Sequence, residues 1–390
     1  MQYGHAEKRP RCPIGLGVLG VGDIAQHLYL PKIKDAEPQG RIRLAAASSR
    51  SEAGRSWLAG RHPEVAIFSS LDDMLAHPGV DVVVNLTPGP VHGPTTLQAI
   101  QAGKHVFSEK PIAATLEEAD AIVEAARDHN VTVGCAPVIA LHPEVWQAVT
   151  WVRQGFLGKV SMVRARASHP GPAWDPAFAS DPTWFYQPGA GPVLDLAVYP
   201  LSVLTVMLGR VERVTALSGI SYPERVVRSG PAKGATVTVE TPDNVQMVLD
   251  FGNACLATID ATWNVLSAKG PRMEIYGDRG VLNLYSRPDE PAYELFTSDP
   301  VTGLSGWLEQ EPPYHGSLMP TTTPPAAEEW SFVDGLMEFT DCVAAGTTPI
   351  LDAERARHVL DVCLAALSSG ELGRVVSTST TPPTVDERVQ

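Results

Sequence analysis

One glycine-spaced stretch constrains this chain more than any other feature. The apolar run Ile14–Leu19 leads directly into Gly20-Val-Gly22-Asp-Ile-Ala25, and residues with helical spacing follow. In a strand–turn–helix of this kind, Gly20 permits the tight turn and the bare backbone at Gly22 lets a pyrophosphate approach. Ala25 is small enough for the helix to pack closely on the strand. The helix then opens with free N–H groups around Asp23, Ile24 and Ala25, at its positive end, toward the phosphates.

The surrounding pattern supplies the context that this turn requires. Ile14–Leu19, Ile42–Ala47, Ala66–Phe68, Val80–Leu86, His105–Phe107 and Val131–Cys135 read as short strands. Between them Ile24–Ile33, Glu52–Gly60, Leu71–Ala76, Pro94–Ala102 and Leu116–His129 read as helices. Apolar runs, rather than alternation, suit strands covered on both faces, so residues 13–136 are expected to form a parallel βαβ sheet of the dinucleotide-binding type. Pro94 suits a first helical turn, and Thr115 with Glu118 forms a capping box.

After Ala136-Pro137 the pattern changes. A helix over Glu144–Gln154 and a strand over Val160–Ala167 precede a Pro- and Trp-rich loop, His169–Pro188, and a helix over Pro192–Leu208. Successive strands are then expected at Val211–Ile220, Ala235–Glu240, Val245–Phe251, Ala254–Ala261, Arg272–Tyr276, Val281–Tyr285 and Ala292–Phe296. Short connections imply antiparallel neighbours, so residues 137–375 are expected to form an α+β domain on a large, open, mainly antiparallel sheet. A long loop (299–326) and two closing helices within 327–369 complete it. Residues 1–12 and 376–390 read as flexible termini.

Composition narrows the partners. The 390 residues carry 30 Lys+Arg against 44 Asp+Glu, a formal charge of −14, with 44% hydrophobic residues. That is ample core material, and the acidic balance disfavours a nucleic-acid backbone as partner. No apolar stretch is long enough for a bilayer, and the N-terminus lacks the apolar region of a secretory signal. Five scattered cysteines without a CxxC point away from disulfides and toward a cytoplasmic setting. The eleven histidines show no ligand spacing, so no metal is expected. GxSxG and Walker signatures are absent.

An NAD site normally ends its second strand in Asp or Glu, which accepts from the ribose 2′-hydroxyl. Here that strand ends Ala46-Ala47-Ser48-Ser49-Arg50. A hydroxyl and a guanidinium suit a 2′-phosphate, so NADP(H) is the favoured cofactor, with NAD(H) left open.

Three further motifs accompany the glycine turn: Thr87-Pro88 with His92, Gly103-Lys-His-Val-Phe-Ser-Glu-Lys-Pro111, and Gly189-Ala-Gly-Pro-Val-Leu-Asp-Leu-Ala-Val-Tyr199. With them the chain resembles the Gfo/Idh/MocA oxidoreductases, which include glucose-fructose oxidoreductase and inositol dehydrogenases, from Ile14 to about Ser369. The resemblance implies a Rossmann domain followed by a large antiparallel sheet, and homodimers or homotetramers. It implies that Thr87, Pro88, His92, Glu109 and Lys110 line the cofactor site. Lys110 matches the lysine between nicotinamide and substrate hydroxyl, Asp195 the substrate-binding aspartate, and Tyr199 the proton donor or acceptor.

Asp195 and Tyr199 are four residues apart on one expected helix, so both can face one cleft. A tyrosine near its ordinary pKa of about 10 is too weakly acidic to act as a base at neutral pH, and a nearby lysine ammonium would favour the phenolate. Gly89 stands where many members carry Asn, Ala197 replaces the usual glycine, and Pro200 follows Tyr199. His169, Trp174 and Tyr186 offer aromatic planes and polar tips that suit a sugar ring. Surface-loop packing explains them equally well, and a loop role explains His92.

The reading is therefore hydride transfer between nicotinamide and a secondary hydroxyl of a sugar, cyclitol or glycoside. Two alternatives stand beside it: a glycosidase with tightly held NAD that transiently oxidises the sugar, and a catalytically silent dinucleotide sensor.

Overall fold

The run of apolar residues before the glycine turn forms β1 (Ile14–Leu19), every residue of it buried. In this computed structural model, which describes residues 13–285, 292–298, 303, 305–308 and 331–385, β1 is a central strand of a six-stranded sheet. Its partners are β2 (Ile42–Ser48), β3 (Ala66–Phe68), β4 (Val82–Asn85), β5 (His105–Ser108) and β6 (Val133–Cys135). The order is β3-β2-β1-β4-β5-β6 and every pairing is parallel. The order reverses between β1 and β4, and ligands of such sheets bind outside the carboxyl ends of the strands at that point. The Gly20 turn follows β1 there, and the Thr87 loop follows β4.

The connecting helices are α1 (Leu30–Ala36), α2 (Glu52–Arg61), α3 (Leu71–Leu75), α4 (His92–Gln101) and α5 (Leu116–Asp128). Ser51, Ser70 and Thr115 each accept from a backbone N–H of the first turn. Glu118 reaches back to the N–H of Ala114 at 3.1 Å, one residue before the reciprocal partner of a capping box. The first helical segment departs from expectation. Residues Ala25–Tyr29 form a π turn ahead of α1, and the segment continues to Ala36 instead of stopping at Ile33.

This first compact unit comprises residues 13–138 together with 331–357. The sequence-based boundary placed both closing helices with residues 137–375, and the contacts place α8 (Val333–Ala345) with the parallel sheet instead. The reason is packing. Phe339 lies against Phe107 of β5 at 5.6 Å, and a Cβ on Gly134 of β6 would stand 2.6 Å from the Phe339 ring. The helix α9 (Ala353–Leu372) starts in this unit, where the Asp352 carboxylate caps it by accepting from Arg355 N–H at 2.8 Å.

The second unit is built from 139–308 and 358–385. It holds α6 (Pro143–Arg153), β7 (Val160–Ser168), α7 (Val198–Met207), β8 (Arg213–Gly219), β9 (Glu224–Val226) and β10 (Thr236–Thr238). After these come β11 (Asn244–Asp250), β12 (Leu256–Thr262), β13 (Met273–Gly277), β14 (Gly280–Leu284), β15 (Tyr293–Ser298), β16 (Ser305–Leu308) and β17 (Val376–Ser377). Among the described residues the main sheet runs β16-β15-β14-β13-β7-β12-β11-β8-β17, antiparallel throughout except for the β7–β12 pair. Burial alternates along β8 and β11, as a sheet covered on one face requires. On the other face Leu217, Val248 and Leu256 are exposed.

Three expectations need correction. The segment Ala235–Glu240 does not join the main sheet; β10 pairs with β9 in a separate two-stranded ribbon. Part of the expected 299–326 loop is strand, since β16 pairs with β15; the rest lies outside the described residues except Gly303. The start of the 376–390 tail is fixed rather than flexible. β17 pairs with β8, and Asp361 Oδ2 accepts from the N–H groups of Ser379 (2.7 Å) and Thr380 (2.9 Å). Residues 1–12 and 386–390 lie outside the described residues.

Candidate active site

The glycine turn belongs to the first unit. Gly20 has φ +90°, and a Cβ there would stand 2.8 Å from the Leu86 carbonyl oxygen, so both backbone conformation and space demand glycine. Gly22 is different: it is exposed, and a Cβ on it meets nothing within 4 Å among the described residues. The first helical bond runs from Gln26 N–H to Gly22 C=O at 2.9 Å, so the N–H groups at Asp23, Ile24 and Ala25 precede the hydrogen-bond ladder. Ala25 is buried, while Asp23 and Ile24 are exposed. An open approach to bare backbone at a helix N-terminus fits a pyrophosphate.

At the end of β2 no carboxylate is present. Ser49 is buried, with its hydroxyl 3.3 Å from that of Ser51, and Arg50 is exposed. A second guanidinium, overlooked in the sequence, stands behind it: Arg55 Nη1 donates to the carbonyls of Ser49 (2.9 Å) and Arg50 (2.8 Å). It satisfies both of these carbonyls.

The β4–α4 connection is organised by Asn85, also absent from the expected site. Its Oδ1 accepts from the Thr87 hydroxyl at 2.7 Å, and its Nδ2 donates to Thr95 Oγ1 at 2.9 Å and Thr96 Oγ1 at 3.1 Å. Thr87 is half-buried and Pro88 exposed. His92 is buried, its Nδ1 2.7 Å from the Pro111 carbonyl and its Nε2 2.5 Å from the Thr87 carbonyl. Both nitrogens thus face backbone carbonyls, to one of which a neutral imidazole donates, so His92 sits between two loops rather than facing a ligand. Burial pulls its pKa below the usual range, against the opposing pull of those carbonyls and of Glu109. Glu109 is likewise turned inward, accepting from the Tyr29 hydroxyl at 2.8 Å and from Lys110 N–H at 3.0 Å. Lys110 is half-buried.

The second unit carries Asp195 and Tyr199. A π turn, Val193–Ala197, precedes α7, and from Val193 to Met207 every residue is buried except Asp195, Leu196 and Tyr199. An otherwise enclosed segment therefore opens at three positions, two of which the motif singles out. His169, just beyond β7, lies within the field of Asp195 and is 3.6 Å from Asp175 through Nε2. Its Nδ1 accepts from Gly171 N–H at 3.1 Å. Burial lowers its pKa, with Asp175 and Asp195 pulling the other way.

The two aromatic candidates are occupied by the protein itself. Tyr186 is fully buried, accepts from Ala173 N–H at 2.9 Å and meets Trp263 edge-on at 4.8 Å. Trp174 has the guanidinium of Arg225 over its ring at 4.2 Å and that of Arg228 at 4.5 Å. Both rings are thus engaged in packing within the protein. Among the described residues no group of three His, Cys, Asp or Glu side chains is placed to hold a metal ion, and no helix is long and apolar enough to cross a membrane.

Residues 14–136 match the family model described as an oxidoreductase family with an NAD-binding Rossmann fold, and residues 145–283 match the GFO/IDH/MocA C-terminal domain. Together these cover more than half of the chain. The protein belongs to the Gfo/Idh/MocA oxidoreductase family. As a family member it is a nicotinamide-dependent dehydrogenase or reductase.

Among Gfo/Idh/MocA relatives, a levoglucosan dehydrogenase of Pseudarthrobacter phenanthrenivorans is 26% identical over 291 residues, covering 71% of this chain and 74% of its own. A galactose 1-dehydrogenase of Pseudomonas fluorescens is 32% identical over 200 residues, covering 50% of this chain and 58% of its own. The fold also matches a solved levoglucosan dehydrogenase in complex with NADH and levoglucosan. The TM-score is 0.77 at 21% identity, over 94% of this chain and all of that one.

Proposed function

We propose that this Gfo/Idh/MocA enzyme prefers NADP(H) and transfers hydride to or from a secondary hydroxyl of a sugar, cyclitol or glycoside. The observation that carries the reading is the segment 193–207, the π turn and α7 together, buried along its length but for Asp195, Leu196 and Tyr199. A carboxylate and a phenol left partly open four residues apart suit polyol recognition and proton transfer. Relatives named for levoglucosan, xylose and galactose support the substrate class.

In this scheme Gly22 and the helix mouth at Asp23 and Ile24 receive the pyrophosphate, and Arg50, backed by Arg55, pairs with a 2′-phosphate. A nicotinamide, when bound, supplies the hydride acceptor or donor. Tyr199 takes the proton of the reacting hydroxyl, Lys110 polarises the same oxygen, and Asp195 anchors an adjacent hydroxyl. The exposed sheet face with Leu217, Val248 and Leu256 serves self-association into a homodimer or homotetramer, checked by light scattering of the purified chain.

The test has two stages. Nucleotide released on denaturation is identified and counted, and the protein is then assayed with NADP+ and NAD+ against levoglucosan, D-xylose and D-galactose. An initially empty protein that oxidises one of these sugars faster with NADP+ is the expected result. Near-stoichiometric NAD(H) retained by the chain would overturn the cofactor assignment and favour redox-cycling glycoside chemistry. Lys110→Met and Tyr199→Phe are each expected to lower kcat by about 10²–10⁴-fold. Turnover near that of the parent chain in either variant would refute its role.

A further inference from the structure

Behind Lys110 lie two buried side chains to which the hydride scheme gives no part. Tyr29 closes the π turn that follows the glycine motif; it is fully buried, and its ring packs on Phe332 at 5.9 Å. Its hydroxyl donates to Glu109 Oε1 at 2.8 Å, and Glu109 Oε2 accepts from the backbone N–H of Lys110 at 3.0 Å. One carboxylate, only 4% exposed, is thus held at one oxygen by a helix and at the other by the peptide of the lysine.

The π turn belongs to the same arrangement. Leu30 N–H bonds to Ala25 C=O, a five-residue step that widens the turn and shifts the direction of the residues after it. On the other side of the lysine, the Pro111 carbonyl packs against His92, 2.7 Å from its Nδ1. The segment 109–111 is therefore gripped on both sides of Lys110 from within its own unit.

We propose that Tyr29 is a positioning residue: acting through Glu109, it fixes the backbone of Lys110 and ties its orientation to the helix whose N-terminus receives the cofactor phosphates. This rests on the assignment of Lys110 to the alcohol chemistry. Tyr29 touches neither substrate nor cofactor in this role. Its hydroxyl acts only by holding the carboxylate that holds the peptide, and small displacements of a reacting group cost large factors in rate.

The experiment compares the parent chain with Tyr29→Phe, Glu109→Gln, the double variant and Lys110→Met. Tyr29→Phe keeps the ring on Phe332 and removes only the hydroxyl; Glu109→Gln keeps the volume and serves as the second route if Tyr29→Phe folds poorly. Steady-state turnover on the sugar of the panel, NADPH affinity by fluorescence titration, and amide exchange across 105–115 are measured for each.

Tyr29→Phe and Glu109→Gln are each expected to lose about 10–100-fold in kcat, with KM and NADPH affinity within about threefold. The double variant is expected to lose little more than either single, because the two groups act in series. Faster exchange at the Lys110 amide accompanies the loss.

Parent-like kcat or parent-like Lys110 exchange in Tyr29→Phe overturns the proposal, as does multiplication of the two single losses in the double variant. Lys110→Met separates the two levels. If it retains turnover, the assignment of Lys110 fails; if it loses turnover while Tyr29→Phe does not, only the positioning role fails. Should no sugar of the panel be turned over, the exchange measurement decides by itself.

Discussion

The guanidinium of Arg225 and the carboxylate of Asp243 meet at 2.7 Å with neither side chain exposed to solvent. Asp243 also accepts from Ser221 N–H at 2.7 Å, and Arg225 donates to the Trp263 carbonyl at 3.0 Å beneath the Trp174 ring. Removing one partner strands a charge in the protein interior. Arg225→Met is expected to lose about 3–5 kcal/mol, more than most surface ion pairs are worth several times over. Urea unfolding measures the loss, and amide exchange should rise over the loop 169–186. A variant within about 1 kcal/mol of the parent would show that the pair does not hold this loop.

The two glycines of the first turn should fail in different ways. Gly20→Ala meets the Leu86 carbonyl in a left-handed conformation and is expected to cost about 1–3 kcal/mol of stability. Gly22→Ala meets nothing within 4 Å among the described residues, so its melting temperature should match the parent while nucleotide affinity falls by about tenfold or more. Calorimetry with fluorescence titration checks both. Unchanged affinity in Gly22→Ala would remove the pyrophosphate from this turn.

Arg50→Ala addresses cofactor choice. Loss of a guanidinium–phosphate pair is expected to weaken NADPH by about 10–100-fold and leave NADH within about twofold. Equal weakening of both would mean that Arg50 acts on a part common to the two nucleotides.

Burial raises the Asp352 carboxyl from 3.8 to about 6 at the start of α9. The native state then holds this proton more tightly than the unfolded chain does. Its contribution is full below pH 3.8 and is lost as pH rises through about 6, a change on the order of 3 kcal/mol. Asp352→Asn keeps an acceptor for Arg355 N–H, so it should flatten the stability profile between these values and be at least as stable as the parent at pH 7. Urea midpoints across this range decide it, and an unaltered slope would count against the assignment.

The first sheet was legible because its strands, such as Ile14–Leu19 and Val82–Asn85, are buried throughout, almost entirely apolar, and separated by capped helices. The glycine turn, the EKP lysine and the Asp195–Tyr199 spacing were legible as motifs. What stayed hidden depends on distant partners. Trp174 has the same local sequence whether its ring faces a sugar or Arg225, and only the fold brings Arg225 over it. The strands β9 and β17 have three and two residues, too few for a periodicity; β9 exists because β10 pairs with it, and β17 because β8, far along the chain, offers hydrogen bonds. An apolar stripe on α8 signals burial without saying against which sheet. Tyr29 gave no signal, because its partner Glu109 lies 80 residues away.

The place of α8 in the first unit sets a timetable for synthesis. When residue 138 leaves the ribosome all six parallel strands have been made, but Phe339, which covers Phe107 and Gly134, has not. At roughly 5–20 residues per second, the interval until residue 357 is about 10–40 s. Throughout it the nascent N-terminal unit carries an uncovered apolar face, which is the kind of surface that chaperones bind. The nucleotide-binding unit is therefore completed only when most of the second unit has already been translated.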